Sequence, residues 1–372
     1  MARDTVLGID IGSTTIKAAS LIQGQSGYAA QMLAIEPIGG GSIPVENQFE
    51  EAERSEQEKR AERRVDTLAA LEALVKHNKI RKGTRCALSL GGDAVAPRTF
   101  NFPGKFSPDE LERAVDLEAV NELPFPKDQA LLDFQEFDNA ADDRTIGVYV
   151  GVRREIIDDL YEMVRSVGLE PVIVDTDGLA LANAFLQAGG GEPPQKETLV
   201  VNIGHRTTNL AVITPSGHAF IRDIPDGGAS LTRACAEYLQ VDLAQAETIK
   251  AGPQIDEPNL AEHIEQIQPY ARAILESGMQ ELLNQIRDSI GFFITQHLFS
   301  TVEEAWITGG AANFPGLPEY LGEIFHVPTF GWNVLSDVNL QFVPEGSDPA
   351  RTDAIGPRFA VALGLAMRYD VV

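Results

Sequence analysis

Three glycine-rich segments contain residue types that are suited to holding a phosphorylated ligand. They are residues 10–17 (Asp-Ile-Gly-Ser-Thr-Thr-Ile-Lys), 202–209 (Asn-Ile-Gly-His-Arg-Thr-Thr-Asn) and 307–312 (Ile-Thr-Gly-Gly-Ala-Ala). A glycine-rich turn exposes successive backbone N–H groups, which can cradle an anion such as phosphate. Each turn taken alone is usually structural, because glycine is common wherever a hairpin reverses direction. The neighbouring side chains therefore decide the interpretation.

The first segment adds two charged side chains to its turn. Asp10 ends an apolar run that predicts a buried strand, so we expect its carboxylate beside the turn. A carboxylate next to a phosphate usually indicates a hydrated Mg²⁺ between them, since Mg²⁺ keeps several waters and takes few protein ligands. Lys17 is expected to reach the phosphate as a point charge. The segment therefore predicts a phosphate site with Mg²⁺.

The other two segments are expected to supply the opposite sides of the same site. The second turn offers backbone and side-chain groups of Gly204, His205, Arg206 and Thr207. In the third segment the residues are small enough for a planar base or a ribose to lie against them, namely Gly309, Gly310 and Ala311.

Motifs of several other ligand and catalytic classes are absent from the sequence. There is no G-x-x-x-x-G-K-[ST] phosphate loop, no G-x-G-x-x-G after a strand, no G-x-S-x-G and no H-E-x-x-H. The two cysteines, Cys86 and Cys235, give neither a disulfide framework nor a metal-ligand spacing. We therefore expect a reducing, cytoplasmic compartment.

The elements that position the three segments indicate two similar lobes. A strand, a glycine turn and a second strand are predicted at 5–22 and again at 198–214, on either side of a Gly/Pro-rich linker at 189–194. This weak internal duplication is expected of an α/β chain whose two lobes enclose a cleft. Helices are predicted at 65–77 and from Ser107, where a capping serine precedes proline and two acids.

Composition excludes several classes of partner. The 372 residues include 30 Lys and Arg against 55 Asp and Glu, a net charge of −25. We therefore expect no nucleic acid partner, which needs a basic footprint, and no stable binding to anionic lipid. No apolar run approaches the roughly 18 residues of a membrane span, and no signal peptide is visible. The densely charged segment at 39–64 predicts a solvated helix or a loop, to which no function is attached.

The three segments resemble, in order, the first phosphate, second phosphate and adenosine motifs of the actin-like ATPases. Four further stretches resemble the PilM family of type IV pilus assembly proteins, relatives of the cell-division protein FtsA. These are residues 110–126, 223–232, 246–250 and 359–368. The resemblance implies an actin-like two-lobed fold of duplicated ribonuclease-H-like domains, with the small inserted subdomain of FtsA and PilM.

The resemblance also implies boundaries for four units. The first large subdomain is expected at 1–84, 169–195 and 350–372, with an inserted small subdomain at 85–168. The second large subdomain is expected at 196–227 and 302–349, with a helical insertion at 228–301.

The resemblance implies ATP with Mg²⁺ as the ligand, and the family's binding residues can be assigned to the matching positions of this sequence. Asp10 is expected to hold Mg²⁺ through water, and Gly12, Ser13, Thr14 and Lys17 to bind the β- and γ-phosphates. From the second lobe, the residues expected to close on the phosphates and the nucleoside are Gly204, His205, Arg206, Thr207, Gly227, Gly228, Glu247, Lys250, Gly309, Gly310 and Ala311.

Asn202 departs from the superfamily pattern, in which the second phosphate motif starts with Asp. An amide cannot act as a general base and holds a metal-bound water less strongly than a carboxylate. Asn202 and His205 are therefore weak catalytic candidates, with His205 either positioning an attacking water or serving as a neutral contact. We expect ATP to bind and to act as a conformational switch, while hydrolysis stays open.

The family implies a scaffold in the cytoplasm, held at the inner membrane through partners and without direct membrane insertion. The expected partner is the cytoplasmic tail of a PilN-like inner-membrane protein, alongside other pilus-machine components, with a homo-oligomer as a further alternative. Arg113, Leu117 and Phe125 are candidate partner-binding residues. The competing interpretation makes Phe125 a buried aromatic in a helix-stopping turn between two prolines.

Two other functions are compatible with the motifs. An FtsA-like filament protein is disfavoured, because the sequence shows no basic amphipathic helix after its last apolar helix. A small-molecule kinase on the same fold needs a carboxylate base in the cleft, for which Asp175 and Asp177 are the candidates.

Overall fold

The computed structural model describes residues 6–24, 27–41, 55–137, 143–217, 219–251, 265–296, 301–337 and 354–368. Parts of four predicted regions lie outside the described residues. They are 42–54 of the first large subdomain and its charged segment, with 350–353 and 369–372 at its C-terminal part; 138–142 of the inserted small subdomain; 252–264 and 297–300 of the helical insertion; and 338–349 of the second large subdomain.

Strands and helices alternate along the described chain. The strands are β1 (Leu7–Ile11), β2 (Thr15–Gly24), β3 (Gly27–Pro37), β4 (Arg85–Leu90), β5 (Val95–Pro103), β6 (Ala130–Phe137), β7 (Arg144–Arg153), β8 (Glu170–Thr176), β9 (Thr198–Ile203), β10 (Thr208–Ile213), β11 (Ala219–Ile224), β12 (Glu304–Thr308) and β13 (Thr329–Gly331). The helices are α1 (Glu56–His77), α2 (Pro108–Glu122), α3 (Arg154–Ser166), α4 (Asp177–Ala188), α5 (Gly228–Leu239), α6 (Leu243–Ala251), α7 (Ala271–Gly278), α8 (Gln280–Gln296), α9 (Leu317–Phe325), α10 (Val334–Asp337) and α11 (Ala360–Ala366).

Two five-stranded sheets have the same topology. The first has the order β3-β2-β1-β4-β8 and the second the order β11-β10-β9-β12-β13. In each sheet three strands run antiparallel as a meander, and the remaining two run parallel to the first strand of that meander. The repeated strand–turn–strand units predicted from the sequence are therefore the centres of two equivalent sheets.

A third, three-stranded antiparallel sheet, β5-β7-β6, lies in the chain between β4 and β8. Helix α2 covers one face of it through Leu111, Val115 and Ala119, which pack with Phe100 and Tyr149. The helix begins at Ser107, as predicted, because the Ser107 N–H donates to Glu110 Oε2 at 3.0 Å and closes a capping box.

The three-stranded sheet occupies less of the chain than the predicted insertion at 85–168. Strand β4 pairs with β1 of the first large sheet, so residues 85–90 belong to that sheet. Helix α3 packs Leu160 and Val164 into the same core as Ile9 and Leu88 of the first sheet. The inserted unit therefore consists of the three-stranded sheet and α2.

Helices α4 and α11 join the two large sheets. Leu181 of α4 and Leu363 of α11 share one buried cluster with Val200 of the second sheet. The two helices cross closely, because a Cβ at Gly364 would lie 1.9 Å from the Ala180 carbonyl oxygen. Glycine at 364 is therefore required by the crossing, and the lobes share a continuous apolar core.

Helix α1 starts nine residues earlier than the apolar pattern predicts, at Glu56 instead of 65. Its first half carries charged side chains and lacks apolar spacing, so periodicity alone does not detect it. Ser55 caps this end, accepting from the Glu58 N–H at 3.3 Å. Over the described residues, no helix combines the length and the apolar composition that a membrane span needs.

Candidate functional site

The first glycine turn joins β1 to β2 and carries an ion pair. The Gly12 N–H donates to the Thr15 carbonyl at 3.1 Å, and Asp10 and Lys17 face each other across the two strands. Lys17 Nζ lies 3.1 Å from Asp10 Oδ2. A Cβ at Gly12 would lie 2.8 Å from the same Nζ atom, so a side chain at that position would displace the lysine.

The second glycine turn joins β9 to β10 with the same geometry and a neutral pair. The Gly204 N–H donates to the Thr207 carbonyl at 3.0 Å, and Asn202 faces Asn209 across the strands. Asn202 Nδ2 donates to Asn209 Oδ1 at 2.8 Å. Asn202 and Asn209 therefore occupy the places that Asp10 and Lys17 take in the first lobe.

The two turns and the 309–310 segment face a common cavity of about 580 Å³ between the lobes. The cavity brings together most of the predicted site residues. Those that line it are Asp10, Gly12, Ser13, Thr14, Lys17, Asn202, Gly204, His205, Thr207, Glu247, Lys250, Gly309 and Gly310.

Four predicted residues are not part of the cavity lining: Arg206, Gly227, Gly228 and Ala311. The two glycines instead support the second turn from behind. The Gly228 N–H donates to the Gly204 carbonyl at 2.8 Å, and a Cβ at Gly227 would lie 2.6 Å from that carbonyl oxygen. Ala311 packs in the apolar core of the second lobe.

A buried polar cluster forms the floor of the cavity in the second lobe. Lys250 Nζ donates to Glu247 Oε2 at 2.6 Å, to Thr232 Oγ1 at 2.9 Å and to the Gly228 carbonyl at 3.1 Å. An ammonium has three N–H donors, so Lys250 has none left for a ligand. In the structure its ammonium contacts Glu247, and the direct contact with the nucleoside stays a prediction.

Glu247 gathers partners from three elements. Besides Lys250, Thr232 Oγ1 donates to Glu247 Oε2, and His205 Nδ1 lies 3.5 Å from the same oxygen. Burial opposes ionisation of this carboxyl, but Lys250 and His205 outweigh it and hold the pKa of Glu247 well below its usual range. His205 also lines the cavity.

The cavity also contains a second carboxylate near that of Asp10, which the sequence predicted only as a candidate kinase base. Asp177, at the start of α4, lines the cavity and accepts from Ser89 Oγ at 2.5 Å. A Cβ at Gly91 would lie 2.1 Å from Asp177 Oδ2, so glycine is required there. Burial, then the charges of Asp10 and Asp223, raises the pKa of Asp177 to about 7.

The two candidate kinase bases have different surroundings. Asp177 faces the cavity, whereas Asp175 is absent from its lining and lies 2.6 Å from Arg368 Nη2 in a buried ion pair. Burial is the main cause that raises the pKa of Asp175, and Arg368 opposes it. Asp175 therefore links β8 to the end of α11.

Two arginines that the motifs did not identify also line the cavity. Arg63 comes from α1, and Arg358 precedes α11. Desolvation, followed by the like charge of Arg206, lowers the pKa of Arg63, and burial lowers that of Arg358. No sequence signal connected them to the site, because Arg63 lies in a run of mixed charges and Arg358 lies about 50 residues after the adenosine-like motif.

The sequence profile of the family described as type IV pilus assembly protein PilM matches residues 8–370. The chain belongs to the PilM family. Its role therefore lies in type IV pilus assembly.

Among solved structures, the PilM–PilN type IV pilus biogenesis complex contains a chain that is 25% identical, with a TM-score of 0.74 and 99% of each chain covered. The ethanolamine utilization protein EutJ from Carboxydothermus hydrogenoformans is 15% identical, with a TM-score of 0.49. The match covers 97% of this chain and 89% of the EutJ chain. MreB 5 of Spiroplasma citri bound to AMPPNP is 14% identical, with a TM-score of 0.47. The match covers 99% of this chain and 96% of the MreB 5 chain. The fold of this PilM-family chain is the actin-like two-lobed fold with an inserted small subdomain.

The inserted subdomain of this PilM-family chain carries the residues predicted to bind a partner, and they differ in exposure. Leu117 is 71% exposed and lies one turn from Val120, which is 58% exposed. Arg113 is exposed, and its Nε donates to the Asp109 carbonyl at 3.0 Å. Phe125 is only 9% exposed and lies under Arg153, whose Cζ is 5.1 Å from the ring centroid.

Proposed function

We propose that this chain is an ATP-binding scaffold of the inner-membrane platform of the type IV pilus, in which nucleotide sets the angle between the lobes. The observation that carries the proposal is the cavity between two equivalent glycine turns, one on each sheet. A ligand that spans both turns stabilises the closed arrangement of the lobes, as in other cleft-closing proteins.

The donors and acceptors around the first turn fit a triphosphate with Mg²⁺. The turn amides and Lys17 supply positive potential, and Asp10 and Asp177 supply two neighbouring carboxylates. Among the described residues, no group of three or more His, Cys, Asp or Glu side chains is arranged to hold a metal ion. This favours a cation held mainly by phosphate and water, which is the usual coordination of Mg²⁺ at nucleotide sites.

Lys17 has two alternative partners in this proposal. Without ligand it pairs with Asp10 at 3.1 Å. A phosphate at the turn competes for the ammonium, and a hydrated cation competes for the carboxylate. We infer that binding exchanges this internal pair for two ligand contacts, so that affinity depends on Mg²⁺.

On the nucleoside side, Glu247 is the residue whose position is best defined. Lys250, Thr232 and His205 all hold it through Oε2. We propose that Glu247 accepts from the ribose and that Lys250 keeps this carboxylate ionised and oriented. Gly309 and Gly310 then offer backbone against which the base lies.

We propose that the chain binds a PilN-like inner-membrane protein, the kind of partner present in the solved PilM–PilN complex. We further propose that the contact joins the inserted subdomain to the cytoplasmic tail of that partner. The protein then lies in the cytoplasm and is held at the membrane by that partner. Leu117 and Arg113 are the accessible candidates, whereas Phe125 supports the subdomain from inside. We also propose the division of the chain into the four predicted units, except that the inserted subdomain comprises only its three-stranded sheet and α2, residues 91–153.

The proposal is tested by isothermal titration with ATP and with AMPPNP, each with and without Mg²⁺. Mg²⁺-dependent binding of both ligands is expected, with loss in Lys17→Ala. Lys76→Ala, at an exposed lysine near the end of α1, is the matched control and should bind normally. Absence of binding by the unmodified protein under every condition contradicts the proposal. Phosphate release from the same sample then separates a switch from an ATPase.

A further inference from the structure

A chain of three hydrogen bonds leaves the cavity through the second turn and ends in the other lobe. Asn202 Nδ2 donates to Asn209 Oδ1, and Asn209 Nδ2 donates to Asp223 Oδ1, each at 2.8 Å. The other carboxylate oxygen, Asp223 Oδ2, accepts from the backbone N–H of Gly92 at 2.8 Å. Gly92 precedes β5, so the chain connects the cleft to the entrance of the inserted subdomain.

The direction of these hydrogen bonds is fixed by the carboxylate of Asp223. An ionised carboxylate only accepts hydrogen bonds, so Asn209 must turn its NH₂ group toward Asp223. Its carbonyl oxygen then faces Asn202, which must present NH₂ in turn. Asn202 Oδ1 is thereby directed to the side of Gly309, where a Cβ would lie 2.6 Å from it.

The same argument explains why an amide occupies position 202. A carboxylate at position 202 would place one acceptor on each side of Asn209, with Asp223 as the other. The Asn209 side chain would then turn its carbonyl oxygen toward one of the two carboxylates, and because the residue is only 2% exposed, that contact would stay unsatisfied. The departure from the superfamily's aspartate is thus linked to Asp223, which lies 14 residues beyond Asn209 in the chain.

We propose that Asp223 is a positioning residue that orients the Asn209 and Asn202 amides at the cleft and holds the Gly92 loop to the second lobe. The proposal rests on the proposed function only in taking the cavity as the nucleotide site. The orientation of Asn202 and the attachment of the inserted subdomain then depend on one carboxylate. Nucleotide bound at the second turn therefore stabilises the hydrogen bond of the Gly92 amide through this connection.

The structure around Asp223 supports an ionised but poorly solvated group. Burial raises the pKa of Asp223 to about 6, although the hydrogen bonds from Asn209 and Gly92 oppose the rise. The nearby charge of Asp223 in turn raises the pKa of Asp177. Asp223 is therefore ionised at pH 7.5, the condition under which the direction of the chain is tested.

The test is a reversal of the chain by substitution. In Asn202→Asp combined with Asp223→Asn, the Asn209 amide rotates and donates to the new carboxylate at position 202. Its carbonyl oxygen then accepts from the new amide at position 223, whose own carbonyl oxygen still accepts from Gly92. We expect Asn202→Asp alone to raise the unfolding equilibrium constant about 10-fold in urea titration, as for a buried unsatisfied polar group. The double variant should recover to within about 3-fold of the unmodified protein, a coupling expected only of residues in one network.

Asn202→Ala provides the matched control, because alanine offers no acceptor. Asp223→Asn should not rescue Asn202→Ala. A double variant as unstable as Asn202→Asp alone, or equal rescue of both single variants, overturns the assigned direction. These titrations contain no nucleotide, so their outcome is independent of whether the cleft binds ATP.

Hydrogen exchange at the Gly92 amide tests the connection between the lobes. In Asp223→Ala we expect this amide to exchange at least 10-fold faster than in the unmodified protein, because its acceptor is removed. The reversed double variant keeps an acceptor and should exchange at nearly the normal rate. Unchanged exchange in Asp223→Ala, or fast exchange in the reversed variant, overturns the attachment. Slower Gly92 exchange on adding Mg²⁺ and ATP, lost in Asp223→Ala, is the expected sign of coupling to the cleft.

Discussion

The two glycine turns have the same backbone and opposite chemistry. In each, a glycine N–H donates to a threonine carbonyl three residues later, and the residues that flank the turn face each other across two strands. The first lobe places Asp10 and Lys17 at these positions, and the second lobe places Asn202 and Asn209. One pair is charged and faces the cavity, whereas the other is neutral and continues into a buried network.

The difference shows how one duplicated element serves two roles. An ion pair at a cleft can exchange its members for a phosphate and a cation, because both ligands carry the complementary charge. An amide pair has no such competitor, and its hydrogen bonds are best kept. We therefore expect changes in the first turn to alter affinity, and changes around the second turn to alter stability and lobe position.

The largest expected effect is on stability and comes from beneath the second turn. Lys250→Met leaves Glu247 in a buried site without its main counter-ion, and we expect a loss of about 3–5 kcal/mol in the free energy of unfolding. Urea unfolding monitored by circular dichroism measures it. Lys127→Met, which breaks the exposed 2.7 Å pair with Asp116, is the control and should cost at most about 1 kcal/mol. Equal losses in both variants would contradict a structural role for Lys250.

In the first turn, Lys17→Met should affect ligand binding far more than folding. We expect the Kd for Mg²⁺ and ATP to rise about 100-fold, equivalent to about 2.7 kcal/mol, because a charge-assisted phosphate contact is lost. Isothermal titration gives the Kd and urea unfolding gives the stability of the same variant. A stability loss as large as that of Lys250→Met, with unchanged affinity, would remove the distinction between the turns.

The carboxylates between the turns predict a dependence of stability on pH. The pKa values of Asp177 and Asp223 are raised to about 7 and about 6, so the folded chain holds these protons more tightly than the unfolded chain does. Their contribution is fully present below about pH 4 and is lost as pH rises through 6 and then 7, by at most about 1.4 kcal/mol per pH unit and group.

Asp177→Asn removes one of these groups and isolates its effect. Between pH 5 and pH 8 the variant should lose about 2 kcal/mol less stability than the unmodified protein. Urea unfolding at intervals of one pH unit measures the difference, with Asp116→Asn at the surface as the control. Parallel pH profiles for Asp177→Asn and the unmodified protein would show that burial does not raise this pKa.

The smallest expected effect lies outside the cleft, on the exposed face of α2. Leu117→Ser should change the free energy of unfolding by less than about 0.5 kcal/mol, because the side chain is 71% exposed. Binding of a fluorescent peptide with the PilN-like tail sequence should weaken about 10-fold if this face takes part. Leu111→Ser, in the buried face of the same helix, is expected to lower stability instead. Unchanged peptide affinity in Leu117→Ser would assign the tail to another surface.

Sequence patterns predicted the elements that depend on local order. The two hairpins and the capped start of α2 are found where glycine turns and the Ser-Pro-Asp-Glu stretch indicated them. The first half of α1 was predicted only as a solvated helix or a loop, because its solvent-facing residues have no apolar period. Likewise, Phe125 was predicted both as a partner contact and as a buried residue, and exposure alone separates the two.

Within the site, local motifs predicted the backbone better than the side-chain partners. The residues of the first turn line the cavity as expected, whereas Gly227 and Gly228 support the second turn from behind it. The three donors of Lys250 are directed to Glu247, Thr232 and the Gly228 carbonyl, which a motif does not reveal. Arg63 and Arg358 reach the cavity from elements with no recognisable motif.

By itself the sequence determined the duplicated turns and the residues that flank each turn, because these follow from spacing within a few residues. Its motifs also resembled those of the family to which the chain belongs. The tertiary structure alone decided that Asp177 lies beside Asp10 and that Asp223 meets both Asn209 and Gly92. Such contacts join residues that are tens of positions apart and come together only when two sheets pack against shared helices. Burial then gives these carboxyls the raised pKa values and the fixed hydrogen-bond directions that an isolated motif does not have.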